Sequence, residues 1–474
     1  MKAKSSELPS AGTFNSACAA ALAFFTAVAC THHLRPSAIE PELSAADKLF
    51  SAAQFAEARE RYLAVANADA SNFRASLRLG EIALLGNRLD DAQRWLVQAS
   101  TLDPSSSEAM RLLAEAHYRS LAFDKSARCL RRVGSQVVAS KLEYFASRPP
   151  YQVDGPQEIH VKFISTDPLP LLAVRVNRSA QVNFFIDTGA SEIVVDPEFA
   201  SEVGAMKFGT TEGTFAGDKK ADVIQGAVDS IAIGAWQVRN VPIHLLATRR
   251  FSGILRGKRV DGIIGTRFLY QFISTIDYPN GELVLRQAKS SDLSNFRSQL
   301  DSSSIAVPFW LAGDHFIVAP GAVNGNPLIL FVDTGLAGMG FTAPVSTLQA
   351  AAIDIPQGQA MEGLGGGGRV SAIPFIVHEL ALGGATAGNV QGLAGVFPAS
   401  LENKFGFRIG GLISHAFFRP YSLTIDFARM RLYLTPQVEA VTNPAVSGWP
   451  LGAPTTTVSR LASMLPRLST ATPK

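Results

Sequence analysis

The residues most able to do chemistry are two aspartates in matching phrases. Asp187 follows strand formers and precedes a glycine in Phe184-Phe185-Ile186-Asp187-Thr188-Gly189-Ala190-Ser191. The phrase returns as Leu330-Phe331-Val332-Asp333-Thr334-Gly335, which sets the two acids 146 residues apart. One such triplet reads as a capped turn, but two in the same context predict two carboxylates brought face to face. Carboxylates within hydrogen-bonding reach cannot both ionise cheaply, because repulsion at short range and reduced dielectric raises one pKa. The pair would share a proton, and its titration would belong to both residues together. One member could then act as general base on a bound water while the other, protonated, donates to a carbonyl oxygen. That chemistry calls for no covalent intermediate, no cofactor and no metal.

To hold the acids there, each must sit where a buried strand breaks into a tight loop, with Gly189 and Gly335 letting the backbone pass close to its mate. From about Glu158 the chain alternates short runs of Val, Ile, Phe and Leu with Gly, Pro, Asn and Asp, which predicts a β structure. Its two halves correspond beyond the aspartates. Asp261-Gly262-Ile263-Ile264-Gly265 matches Gly410-Gly411-Leu412-Ile413-Ser414, and Thr275-Ile276-Asp277-Tyr278 matches Thr424-Ile425-Asp426-Phe427. From Asp187 to Gly262 is 75 residues and from Asp333 to Gly411 is 78, so the halves, 158–288 and 304–436, are an internal duplication. Ser290 to Ser304 is polar and reads as the connection between them. Glycine-rich stretches follow both acids at similar distances and are candidate hairpin flaps: Gly213, Phe215 and Gly217 in the first half, Gly363, Gly365 and Gly368 in the second. The second fits G-x-G-x-x-G, but Pro374 soon after it and the lack of a helix opening argue against a dinucleotide loop.

With these motifs the segment resembles the aspartic peptidases, and the Asp-Thr-Gly-Ala-Ser form is closest to their retropepsin-like branch. The resemblance implies a two-lobed β fold with catalytic Asp187 and Asp333, a water activated between them, and hydrolysis of a peptide bond in a peptide or protein substrate. It also implies that Thr188 and Thr334 hydrogen-bond across the lobes. Leu336 and Ala337 leave the second lobe without a hydroxyl just beyond its loop, and Ser414 stands where the first lobe has Gly265. Neither departure removes a catalytic group, though a two-lobed peptide-binding protein without turnover is the competing reading. In pepsin-like enzymes a hydroxyl at the position of Ala190 and Leu336 lowers the pair's pKa values, so its absence implies activity at mildly acid to near-neutral pH.

Ahead of the β segment, residues 44–145 are rich in Ala, Leu and Arg and carry a helical pattern. Ala58, Ala92 and Ser126 recur every 34 residues, as do Phe55, Leu89 and Phe123 before them and Ala46, Gly80 and Ala114 further upstream. This resembles a tetratricopeptide repeat array, which implies a concave surface for a protein partner or substrate, or a scaffold role in the envelope. His117 ends an apolar stripe and reads as a packing residue. Arg148-Pro149-Pro150 reads as a linker. The expected fold class is therefore multidomain: an all-α helical repeat domain followed by an all-β, two-lobed aspartic peptidase fold.

At the N-terminus, Lys2 and Lys4 precede an uncharged run from Ala17 to Ala29, too short to span a bilayer but suited to an export signal over 1–30. The small residues before Cys30 resemble a lipoprotein processing site, which implies lipid attachment at Cys30 and a periplasm-facing place in a bacterial envelope, with membrane contact only through that anchor. The other cysteines are Cys18 and Cys129. Residues 437–474 are rich in Pro, Ser, Thr and Ala and are expected to be disordered. A net charge of +3 is too near balance to predict nucleic acid as a partner. No paired Cys and His stand at metal spacing, and His378-Glu379 reads as a strand edge.

Overall fold

The computed structural model describes residues 39–287 and 302–436, apart from 357 and 359, together with 296, 298 and 300. The expected signal, Cys30, most of the Ser290–Ser304 connection and the expected tail lie outside the described residues.

Seven helices come first: α1 (Ile39–Ser51), α2 (Phe55–Ala68), α3 (Phe73–Leu85), α4 (Leu89–Leu102), α5 (Ser107–Arg119), α6 (Phe123–Arg132) and α7 (Gln136–Tyr144). The starts of α1, α3 and α5 are 34 residues apart, as are those of α2, α4 and α6. Small residues set this repeat because they stand where helices touch. Ala46, Ala58, Ala92, Ala114 and Ser126 are all buried, and a methyl group on Gly80 would lie 2.6 Å from Leu96 Cγ. Asn72 and Ser106 cap α3 and α5 by accepting from the backbone N–H of Ala75 and Ala109.

The β region is two eight-stranded sheets joined by a six-stranded one. In the first lobe, strand Val182–Ile186 lies parallel to Gly262–Ile264, which pairs antiparallel with Ile193–Val195. The second lobe repeats this, with Asn326–Val332 parallel to Gly411–Ile413 and that strand antiparallel to Phe341–Thr342. Central parallel strands are covered on both faces, which is why Phe184, Ile186, Leu330 and Val332 form near-continuous apolar runs. In the joining sheet, Phe272–Asp277 pairs with Tyr421–Asp426 so that Thr275 faces Thr424, with the hydroxyls 2.7 Å apart. Ser274 faces Ile425 and Ile276 faces Leu423, a register that is its own image under exchange of the halves. A pseudo-two-fold axis therefore passes between the two threonines.

The helices are packed onto both lobes. Phe123, Ala139, Leu142 and Phe145 share one core with Ile193, Phe199 and Trp236 of the first lobe. Phe55 meets Trp310 and Phe407 of the second lobe edge to face, with ring centroids 5.0 Å apart in each pair. The buried Arg119 guanidinium donates to Leu84 O at 2.8 Å and to Leu311 O at 3.1 Å, and Asn87 Nδ2 donates to Phe427 O at 3.0 Å. The expected linker is also held. Tyr151 is buried directly after it, Asn240 Nδ2 donates to Pro149 O, and strand Gln152–Asp154 pairs with Gln237–Arg239. The last helix ends at Tyr144, ahead of the prolines, and Phe145 and Tyr151 on either side of them are buried.

Candidate active site

Asp187 and Asp333 stand one residue past the ends of the two matching strands, where backbone pairing gives way to the glycine turn. Asp187 N donates to Ile264 O and Asp333 N to Ile413 O, each at 3.0 Å. The parallel neighbour in each lobe thus fixes the point at which the loop leaves the sheet. Each carboxylate is also held by its own loop: Gly189 N donates to Asp187 Oδ1 at 2.7 Å and Gly335 N to Asp333 Oδ1 at 2.8 Å. Across the axis, a methyl group on Gly189 would come within 2.6 Å of Asp333 Cγ, and one on Gly335 would overlap the Asp187 carboxyl. Glycine is required at both positions because the opposite carboxyl occupies that space.

Buried threonines set the distance between the loops. Thr188 N donates to Thr334 Oγ1 at 3.1 Å and Thr334 N to Thr188 Oγ1 at 3.0 Å. Each hydroxyl then donates onward to the opposite strand, Thr188 Oγ1 to Val332 O at 2.8 Å and Thr334 Oγ1 to Ile186 O at 3.4 Å. Four bonds thus cross the axis beneath the carboxylates. Burial raises the Asp187 carboxyl above its usual range, opposed by the hydrogen bond with Asp333 and the Gly189 N–H. Asp333 lies well above that range, through burial first and the charge of Asp187 second. The pair consequently retains a proton at pH values where a free aspartate is ionised.

The flap candidates occupy two hairpins over the acids. Gly213 and Phe215 end strand Met206–Phe215, and Gly217, with φ 64°, turns it into Lys219–Ile233. Gly363 and Gly365 end strand Met361–Gly365, and Gly368 opens Gly368–Leu382. The Gly363–Gly368 stretch is therefore a strand, turn and strand. The tips meet, since a Cβ on Gly366 would overlap the Phe215 ring. The first tip is also tied to the segment after strand Ala385–Ala394, where Gly217 N donates to Val396 O at 2.8 Å and Asp218 accepts from the backbone N–H of Ala399 at 2.7 Å and of Ser400 at 3.2 Å. Arg250 reaches back from the first lobe to Gly366 O.

The second lobe's departures have local explanations. At Gly265 a Cβ would overlap Glu192 O and lie 2.7 Å from Ala190 O. Ser414 is accommodated in its place, and its hydroxyl accepts from Leu336 N at 3.1 Å. Ser191 does not serve Asp187, since its hydroxyl lies 3.5 Å from His244 Nδ1. His378 and Glu379 are exposed within strand Gly368–Leu382, and His117 is buried in α5.

Several residues of the site carry no motif. Glu192, just past the first loop, accepts from Lys141 Nζ at 2.7 Å and from Tyr118 Oη at 3.0 Å. Lys141 also donates to Gln225 Oε1 at 2.6 Å, and Gln225 Nε2 donates to Thr211 Oγ1 at 2.9 Å, so α7 is tied to the first hairpin. Toward the other lobe, Asp167 is bonded by His415 Nε2 at 2.9 Å and by Arg419, and its carboxyl is held down at about 2, chiefly by the His415 hydrogen bond. An acid directly following Asp-Thr-Gly-Ala-Ser was the one signal of this network visible in sequence.

The acids lie on the floor of a cleft of about 1670 Å³, walled by the flaps and by apolar residues on both sides, Val194, Phe215 and Ile263 in the first lobe and Leu336, Val370 and Leu412 in the second. Such a site suits an extended polypeptide with its backbone across the carboxyl pair. Among the described residues no group of His, Cys, Asp and Glu is placed to hold a metal ion.

Residues 172–268, from strand Leu171–Val176 through the second glycine element of the first lobe, match the family model described as aspartyl protease. The match takes in the first aspartate loop and its supporting strand, and the second lobe repeats that arrangement outside the matched residues. Among solved structures the chain is similar to a retropepsin-like aspartic protease from Rickettsia conorii, with 20% sequence identity, 29% of this chain and 94% of that chain covered, and a TM-score of 0.20. No curated protein matches the chain.

Proposed function

We propose that the protein is an exported aspartic endopeptidase in which Asp187 and Asp333 activate a water between them. The observation that carries the reading is the pair of glycine loops interlocked through Thr188 and Thr334, each glycine leaving room only for the other lobe's carboxyl. In the singly protonated pair, the ionised member takes a proton from water as it attacks the scissile carbonyl, and the protonated member donates to the carbonyl oxygen. The tetrahedral species collapses when the dyad protonates the leaving nitrogen and takes a proton back from a gem-diol hydroxyl, which restores the single proton. The flaps exclude bulk water and strengthen the electrostatics beneath them.

The test is incubation of the full mature chain with a mixed peptide library, beside Asp187→Asn. The expected result is cleavage by wild type and none by the variant at equal folded content. Absence of cleavage across pH 3–8 would favour a peptide-binding role for the cleft. For export, the support is the sequence of residues 1–30, and the reading includes lipid attachment at Cys30 and an envelope location. Cys30→Ala should move the protein from the membrane to the soluble fraction, and an unchanged distribution refutes the anchor. The resemblance of the helices to tetratricopeptide repeats supports a recruiting role for them, which pull-down with and without Arg111→Glu would test.

A further inference from the structure

The cleft does not stop at the β lobes. Beyond Glu192 it continues between α5, α6 and α7 on one side and the first flap strand on the other, lined by Arg111, Tyr118, Leu130, Val138, Thr211 and Glu212. This wall is fixed. α7 packs on the flap strand, with Tyr144 5.4 Å from Phe208, and the Lys141–Glu192 and Arg267–Glu115 pairs bind α7 and α5 to the first lobe.

Resting on the reading of Asp187 and Asp333 as the catalytic pair, we propose that this groove is an extended substrate subsite. It takes the chain of an unfolded or extended polypeptide for about three residues beyond those held by the lobes. The length follows from α5: Tyr118, bonded to Glu192, and Arg111, at the outer end, are seven residues apart and hence about 10 Å along the helix, or three residues of extended chain. The chemistry follows from the lining. Leu130 and Val138 are half-buried aliphatics facing the groove. Arg111 is exposed and forms no ion pair among the described residues, its hydrogen bond being one of 3.4 Å to Ser135 Oγ. An aliphatic residue followed outward by an acidic one is the segment that fits. The pseudo-two-fold equivalent at the other end of the cleft is lined by Asp167 and Arg419, which bond within the β region and not to the helices. The array therefore makes the site one-sided, although the catalytic machinery is nearly symmetric.

The experiment uses the full chain and one short peptide that wild type cleaves, lengthened by about five residues ending in a Leu-Asp segment at its N-terminal end only or its C-terminal end only. One of the two extensions, and not both, should raise kcat/KM by about tenfold, the discrimination a well-fitted aliphatic contact gives. Val138→Trp and Arg111→Glu should each abolish that gain and leave the short peptide's kcat/KM unchanged, which also reports that the variants are folded. Equal gains from both extensions, or a one-sided gain that survives both substitutions, would overturn the proposal. No cleavage of any peptide by wild type would instead overturn the catalytic reading on which it rests.

Discussion

Replacing Lys141 by methionine tests whether the helices and the first lobe act as one unit. The Lys141 and Glu192 side chains are 1% and 4% exposed, and their 2.7 Å bond joins α7 to the residue just past the first aspartate loop. An ion pair this deep contributes less than its geometry suggests, since both charges leave water to form it. Breaking it is another matter. The methionine side chain would fill the space of the alkyl stem, while Glu192 would keep the Tyr118 hydroxyl and lose its cation, a change that costs about 3–5 kcal/mol in comparable buried pairs. The two partners are not shifted symmetrically. Burial draws the Lys141 ammonium below its usual range even with Glu192 beside it. Glu192 is pushed up by burial, yet Lys141 and then His244 and Arg267 hold it at about 2. Geometry decides between them, because both Glu192 oxygens accept, one from Lys141 and one from Tyr118, which is the pattern of an ionised carboxylate with a cation beside it. In wild type a carboxyl depressed on folding contributes stability above its unfolded pKa of about 4.3, and that contribution is lost as pH falls through about 2. Without Lys141 burial dominates and the pKa of Glu192 rises, so the variant's deficit should be greatest near pH 7 and shrink toward about pH 4 as Glu192 takes up a proton. Denaturant unfolding of the full chain at both pH values measures this, with Lys141→Met/Glu192→Gln as the paired variant. The double variant should be more stable than the single at neutral pH. A single variant as stable as wild type, or a double no better than the single, would refute the reasoning.

Burial raises both Asp187 and Asp333, and the charge of Asp187 raises Asp333 further, so activity should peak in mildly acid to near-neutral conditions. Ala190→Ser adds a donor that favours the ionised form, worth about 1 kcal/mol and hence somewhat under one pKa unit, and should move the kcat/KM profile to lower pH. A wild-type optimum at about pH 2–3, or an unmoved profile, contradicts this. At the first flap tip, Asp218→Ala removes the acceptor for the backbone N–H groups of Ala399 and Ser400 and for the Ser400 hydroxyl. Amide exchange should then quicken in strands Met206–Phe215 and Lys219–Ile233 and stay as in wild type in the joining sheet, and unchanged exchange in the hairpin would show that the latch does not hold it.

The amino-acid sequence determined the parts of this protein that repeat. Strand formers ending in Asp-Thr-Gly, recurring at near-equal distance from a second glycine element, specify a loop and its buried support by local chemistry alone. A small residue every 34 positions likewise specifies where helices touch, because only a small side chain permits that approach. Tertiary structure decided what no local pattern encodes. Lys141 reads as an ordinary helical lysine until Glu192, 51 residues on, and Gln225, 84 residues on, close over it. Ser414 reads as a lost glycine until its hydroxyl meets Leu336 N. The helices read as a separate module beyond a proline linker, yet they form one end of the cleft, because the apolar residues they do not bury among themselves pack on the lobes. Periodicity shows that a face must be buried. What covers it depends on the shape and chemistry of surfaces that exist only once the chain has folded.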